Sequence, residues 1–396
     1  MPAVLYAQLN LVWQQLQDHP YPVYSPCLFE IDDRIYAADG ITGSGPVTFS
    51  SALHEYDPNS DTWTPRTSCP GPDRYGARGF SIDGVGYMTC GWNNNAPVVQ
   101  LKDLWAYDPL SDSWTQKADL PGPPRYTAIT CATSSKGYVG LGYQPYLNDW
   151  WEYDPVTDTW TQRTPFPGSA RQSAICFVIN DQVYVGCGSN GTNAVVNDLW
   201  RYDPTADTWT QLADLPGAGR YTSYSFTYQQ KGFVVCGLTV NSSGVYTELD
   251  EVWYYDPVVD AWSQLAAFPG APHGEGGSCW SGLFGYMGMG RFSFGPGPLA
   301  SNTTAEFWRV RPLTNTVDDR YSGSSFSATL VQDQLVITDA STSAPHNVVV
   351  LNVNGSTMHQ RVVTGPTNLV LPTQEWPSGA YLVRCGDQTR RVLIAH

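Results

Sequence analysis

The sequence contains no apolar run of 18 residues, so no segment of it reads as a membrane-spanning helix. Charge is scarce as well: Asp, Glu, Lys and Arg make up 14% of the 396 residues, and 36 acidic against 21 basic side chains leave a net charge of −15. A surface of that sign repels nucleic-acid backbones and anionic membranes on average, so neither is an expected partner. No Cys-x-x-Cys pair occurs among the nine cysteines, which argues against a zinc knuckle, and the odd number leaves no complete disulfide framework.

What the chain has instead is aromatic side chains, glycine and proline. Fifteen Trp, 24 Tyr, 37 Gly and 30 Pro in a chain that is 42% hydrophobic predict many short strands and turns around a real core, with length for two or three domains. At the start, Leu5-Tyr6-Ala7 before Gln8 resembles the small-residue end of a signal peptide without its basic segment, so residues 1–8 are expected to be a remnant of one. An ordinary cytosolic start is the alternative.

One segment recurs five times. Tyr56-Asp-Pro, Tyr107-Asp-Pro, Tyr153-Asp-Pro, Tyr202-Asp-Pro and Tyr255-Asp-Pro are each followed by Trp seven residues after the Tyr, at Trp63, Trp114, Trp160, Trp209 and Trp262. The Tyr-to-Tyr spacings of 51, 46, 49 and 53 residues place a rigid hairpin inside a unit whose loops vary. A Pro-Gly turn follows, as at Leu120-Pro-Gly and Phe166-Pro-Gly, then Arg or His, a strand, and an aromatic run ending in glycine such as Tyr184-Val-Gly-Cys-Gly188. That makes four short strands per unit, the pattern of propeller blades that bury their faces on one another.

This motif resembles a kelch repeat, although the double glycine of that family is usually a residue-Gly pair here. The resemblance implies an all-β, six-bladed propeller over residues 9–314. Trp13 lies 50 residues before Trp63, and the sixth unit, which ends near Trp308, lacks its last strand. The N-terminal strand is therefore expected to close the ring and hide its edges. Residues 315–323 read as a linker. Seven β-rich runs in residues 324–396 read as a small sandwich. Among them, Val350-Leu-Asn-Val-Asn-Gly355, Trp376-Pro-Ser-Gly-Ala-Tyr-Leu-Val383 and Arg390-Arg-Val-Leu-Ile394 resemble the C-terminal sorting domain of the type IX secretion system. That likeness implies a protein secreted to, or held at, the outer surface of a Gram-negative cell, with the outer-membrane secretion machinery as a partner. A generic accessory sandwich is the alternative.

Candidate site residues come from the repeat and from its exceptions. Arg74, Arg125, Arg171 and Arg220 recur at the entry to a strand, with His273 and Tyr24 read as their counterparts in the sixth and first units. A ring of guanidinium forks at a channel mouth suits carboxylates. As part of the repeat the same arginines equally serve structure, by stacking on Trp or tying blades together. Three charges break the repeat: Arg78 stands where other units have Ile129, Ile175 and Tyr224, Glu275 where they have Gly76, Thr127, Ser173 and Thr222, and Asp39 where they have Cys, Leu or Met. Arg74 with Arg78, and His273 with Glu275, are expected to share strand faces. The three odd charges either pair across the channel or form one polar sector that meets a ligand. Loops after the glycines add Trp92, Asn93, Asn94, Tyr143, Tyr146, Asn190, Asn193 and Arg291, aromatic faces beside amides that suit sugar rings. Trp92 and Trp150 are the indoles outside the repeat most worth testing. The aspartates before Pro are assigned to turns.

Kelch propellers include copper oxidases, a sialic-acid mutarotase and binding modules. His19, His54 and His273 sit in scattered contexts, which argues against a copper site, and no metal or other cofactor is expected. The first reading is a monomeric binding or adhesion module for an extracellular glycan or protein. The alternative is a sugar-processing enzyme of the mutarotase type, with Glu275, His273 and Arg78 as candidate catalytic residues in the central channel.

Overall fold

The computed structural model describes residues 10–38, 40–42, 48–93, 99–191, 195–241, 243–282, 284–292 and 302–313, and farther on 326–331, 334–339, 346–352, 357–363, 367–372, 376, 379–385 and 388–394. Every regular element among them is a β-strand. The chain divides into two compact units, Met1–Leu313 and Thr314–His396.

The first unit holds six four-stranded antiparallel sheets. Their innermost strands are Cys27–Ile31, Arg78–Ile82, Ile129–Ala132, Ile175–Ile179, Tyr224–Tyr228 and Gly277–Ser281, and the sheets are numbered one to six in that order. Each of the first five ends in the Tyr-Asp-Pro hairpin. The Asp carboxylate before Pro accepts the N–H two residues on, as Asp57 does from Asn59 at 2.8 Å and Asp154 from Val156 at 2.9 Å, so these aspartates are spent on their turns.

A second aspartate in the same hairpin does more. Asp112 Oδ1 accepts the Tyr107 hydroxyl at 2.7 Å and, across the gap to the sheet before, the Thr67 N–H at 3.0 Å. The Trp114 indole N–H donates to the Thr67 carbonyl at 2.8 Å. Asp158 with Trp160 holds Ala118, Asp207 with Trp209 holds Thr164, and Asp260 with Trp262 holds Ala213 in the same way. Asp61 and Trp63 hold Gln17. Strand Asn10–Gln15 lies antiparallel to Phe307–Leu313 at the outer edge of sheet six, so Gln17 occupies there the place that Thr67 occupies in sheet one.

Each inner strand packs on the next, and the strand of sheet six packs on that of sheet one. Six apolar clusters follow the same cycle. Phe29 and Ile31 of sheet one meet Met88 and Tyr107 of sheet two, and Leu28 and Tyr56 of sheet one meet Tyr286 and Phe307 of sheet six. Each fully buried aromatic or aliphatic side chain stabilises by roughly 1.5–3 kcal/mol, so these seams hold the sheets together.

The second unit has a three-stranded sheet, ordered Phe326–Val331, Gln334–Asp339, Thr367–Pro372, and a four-stranded one, ordered Thr357–Val363, His346–Asn352, Gly379–Cys385, Gln388–Ile394. Leu335, Ile337, Leu369 and Leu371 of the first sheet share one apolar cluster with Val348, Val350 and Val383 of the second.

Candidate functional site

Just ahead of each inner strand the backbone turns through a residue in the left-handed region: Ser25, Gly76, Thr127, Ser173, Thr222 and Glu275, with φ between 49° and 69°. Their backbones bond head to tail. Ser25 N–H donates to Glu275 O, Glu275 to Thr222, Thr222 to Ser173, Ser173 to Thr127, Thr127 to Gly76, and Gly76 back to Ser25, at 2.5–3.4 Å. Five of the six bear side chains, for which this conformation costs about 1–2 kcal/mol each, and the closed belt of hydrogen bonds offsets that cost.

The belt fixes the register of everything near it. Two residues ahead lie Val23, Arg74, Arg125, Arg171, Arg220 and His273, so the first-unit counterpart of the arginines is Val23 and not Tyr24. One residue ahead lie Tyr24, Tyr75, Tyr126, Gln172, Tyr221 and Gly274. The left-handed residue breaks strand alternation, so Arg74 and Arg78 do not share a face, and neither do His273 and Glu275.

The four arginines are buried and committed. Arg74 forks onto Asp103 at 2.5 and 2.7 Å while also donating to the carbonyls of Cys90 and Pro72. Arg125 does the same with Asp149 and Arg171 with Asp198, and Arg220 pairs with Glu251. Each acid also accepts an indole N–H two residues on, as Asp103 does from Trp105 at 2.7 Å. The Pro-Gly turn is part of this device, because a Cβ on Gly71 or Gly122 would stand 2.7 or 2.5 Å from the guanidinium. These arginines therefore tie sheets two to five internally and turn no fork toward a channel mouth.

His273 is fully buried against Tyr224, Phe268 and Phe292, with Nδ1 at 2.9 Å from the Ala271 carbonyl, and burial holds its pKa below the usual imidazole value. It is a core residue. Trp150 is fully buried too, stacked on Tyr138 at the seam between sheets three and four. Asn93 donates to the Asp73 carbonyl at 2.5 Å. Asp39, Asn94 and Asn193 lie outside the described residues.

Arg78 and Glu275, by contrast, share a cavity of about 120 Å³ walled by all six inner strands and the belt. A second chamber of about 270 Å³, walled by the same six strands farther along, adjoins it and shares Leu28, Gly79, Ser225 and Ser278. The Glu275 carboxylate pairs with Arg291 Nε at 2.9 Å, and the Arg291 guanidinium lies over the Tyr24 ring at 5.4 Å. Burial pushes the Glu275 carboxyl above the usual carboxylate range, against the opposing pull of Arg291 and Arg78. Arg78 Nη1 donates to its neighbour's carbonyl, Ala77, at 2.9 Å, and burial draws its pKa down.

Tyrosines surround the pair. Burial, with Glu275 adding to it, pushes Tyr24 up to about 12; Tyr75 and Tyr221 rise for the same two reasons among others, and Tyr126 is pushed up to about 12. All four hydroxyls stay protonated at neutral pH. From Tyr75 a strip of half-buried rings extends in contact: Trp92 at 5.1 Å, Trp92 stacked on Tyr126 at 5.9 Å, Tyr143 at 5.5 Å from Tyr126, and Tyr146 at 4.6 Å from Tyr143. Trp92, Tyr143 and Arg291, named from variable loops, thus join one surface with Glu275. The linking Tyr75, Tyr126 and Tyr221 had a signal in the sequence, an Arg-Tyr pair repeated at 74–75, 125–126 and 220–221.

The family described as Attractin/LZTR1 beta-propeller matches residues 35–273. Alpha-scruin and beta-scruin of Limulus polyphemus are each 27% identical to this chain over 122 residues, which is 30% of this chain and 13% of theirs. The chain thus matches only a small part of the length of these relatives. A solved structure, that of YjhT, superposes with a TM-score of 0.63 at 16% identity, covering 75% of this chain and 99% of that one, a likeness of fold.

Proposed function

This chain belongs to the Attractin/LZTR1 beta-propeller family, and from that premise we propose that its six sheets are the blades of one ring, closed by the N-terminal strand, which binds an extracellular ligand at the channel mouth. The observation that carries this reading is the Glu275–Arg291 pair set among Tyr24, Tyr75 and Tyr221 beside the strip from Trp92 to Tyr146. Flat rings with neutral hydroxyls stack on sugar faces, and a polar pair at the centre fixes orientation, so a carbohydrate is favoured over a protein. The C-terminal sheets act as the sorting domain that exports the propeller to the cell surface.

A second reading rests on one feature, a carboxyl raised by burial in the same cavity as a guanidinium. Glu275 with Arg78 is then the acid–base pair of a sugar-processing enzyme of the mutarotase type. His273 takes no part in it. The purified chain is screened on glycan and peptide arrays while anomer interconversion of sialic acid is followed by NMR. Glycan binding lost in Tyr126→Ala and Arg291→Ala upholds the binding module. Turnover abolished in Glu275→Gln upholds the enzyme. A glycan signal indifferent to all three substitutions overturns both.

A further inference from the structure

The inner strands meet along six seams, and three of these carry the same bridge. Thr130 Oγ1 donates to the Gly79 carbonyl at 2.8 Å, Ser225 Oγ to the Cys176 carbonyl at 2.9 Å, and Ser278 Oγ to the Ser225 carbonyl at 3.1 Å. Thr130, Ser225 and Ser278 stand at one register position, three residues after the belt. Sheet four has Cys176 there. A thiol is a poor donor to a carbonyl, so the seam between sheets three and four lacks the hydroxyl bridge.

It has a thiol pair instead. Cys131 on Ile129–Ala132 and Cys176 on Ile175–Ile179 stand on directly packed strands, Cys131 inside the apolar cluster of that seam and Cys176 packed against it. From that seam Cys176 also borders the smaller chamber and Cys131 the adjoining one. Among the described residues no cluster of three or more metal-ligating side chains includes them.

We propose that Cys131 and Cys176 are a disulfide site that staples the third blade to the fourth when the protein meets a small disulfide oxidant. Two cysteines packed into one apolar cluster from directly neighbouring strands are placed for an S–S bond to form with little backbone movement. The Cys176 thiolate attacks one sulfur of the oxidant and releases one small thiol. The Cys131 thiolate then attacks the Cys176 sulfur of the mixed disulfide and releases the second. The two protein thiols lose two protons and two electrons, and the S–S bond of the oxidant is reduced to two thiols. Burial, reinforced by the Cys176 neighbour, holds the Cys131 thiol well up, so the second step is the slow one and quickens as pH rises. The staple is independent of what the channel mouth binds.

The full chain is incubated with cystamine, free thiols are alkylated, and the protein is digested with and without reductant. One cross-linked peptide pair joining Cys131 to Cys176 is expected, with a melting temperature raised by roughly 5 °C. Cys176→Ser supplies the hydroxyl that the neighbouring seams carry, so it folds, and it loses both the cross-link and the temperature shift. Cys187→Ser, a control in a separate buried position, keeps them. Recovery of both cysteines as alkylated thiols or as cysteamine adducts, or a cross-link that survives in Cys176→Ser, overturns the proposal.

Discussion

Asp61 Oδ1 accepts the backbone N–H of Gln17 at 2.8 Å, 44 residues upstream. The same oxygen takes the Tyr56 hydroxyl at 2.7 Å, and the Trp63 indole closes on the Gln17 carbonyl at 3.0 Å. Elsewhere in the cycle the equivalent latch holds a segment of the preceding sheet, so here the N-terminal segment is treated as part of sheet six. Asp61→Ala removes two hydrogen bonds to a charged acceptor and should cost about 2–3 kcal/mol. Urea unfolding reads that cost, and hydrogen exchange locates it: amides of Val12 to Gln14 should exchange faster in Asp61→Ala than in Asp158→Ala, which loosens a different seam. Unchanged protection at Val12 to Gln14 would show that this latch does not secure the N-terminal strand.

The buried guanidinium forks make a different prediction. Arg125→Met strands the Asp149 carboxylate, 16% exposed and bound otherwise to the Trp151 indole, and should lose about 3–5 kcal/mol. Adding Asp149→Leu removes the stranded charge and should recover much of that loss. A double-mutant cycle by chemical denaturation checks the coupling, and strictly additive losses would contradict the paired geometry.

The hairpin was legible because Tyr, Asp, Pro and Trp stand at fixed spacing, and that spacing is a local property of a tight turn. The acid partners of the arginines were not, because Asp103 follows Arg74 by 29 residues and Asp149 follows Arg125 by 24, across loops of unequal length. The expected face-sharing of His273 with Glu275 failed for a backbone reason: Glu275 itself sits at φ 55°, and no period-two argument survives a left-handed residue. Arg78 and Glu275 were found from the sequence as departures from the repeat, the signal a repeat protein offers where a function is laid over its packing. Trp150, set apart in the sequence as an indole outside the repeat, is core: it neighbours the repeat Trp151, adjacent strand residues point to opposite faces, and its face is the one packed at the seam.

Acid should weaken the propeller through His19. Its ring is 4% exposed, set edge-on to His54 and Trp63, with Nδ1 on the Tyr21 carbonyl and Nε2 without a partner among the described residues. Burial, with the His54 ring adding to it, lowers its pKa from 6.5 to about 4. The native state thus binds its proton less readily than the unfolded chain does, so the stabilisation is present above pH 6.5 and is lost as pH falls from there to about 4. The loss is about 3 kcal/mol. His54 and His273, whose pKa values burial also lowers, act in the same direction. His19→Phe should flatten the fall between pH 6.5 and 4 in urea midpoints, and an identical slope in both proteins would refute the assignment.

Arg78 sets stability against function most directly. It lines the channel cavity, its guanidinium donates to the adjacent Ala77 carbonyl, and Glu275, the carboxylate that shares the cavity, is already paired with Arg291. A half-buried cation without its own counter-ion is costly, and a flexible apolar side chain of similar length removes that cost. Arg78→Met should therefore leave the melting temperature unchanged or raise it, by an amount equivalent to about 1 kcal/mol. The Glu275 carboxyl should titrate still higher, since one of the two cations that draw it down is gone. If the polar sector meets the ligand, the same substitution weakens binding at least tenfold, about 1.4 kcal/mol, while the fold gains. A thermal melt and a binding titration on one sample decide it: a lower melting temperature with binding intact would make Arg78 part of the scaffold and remove it from the site.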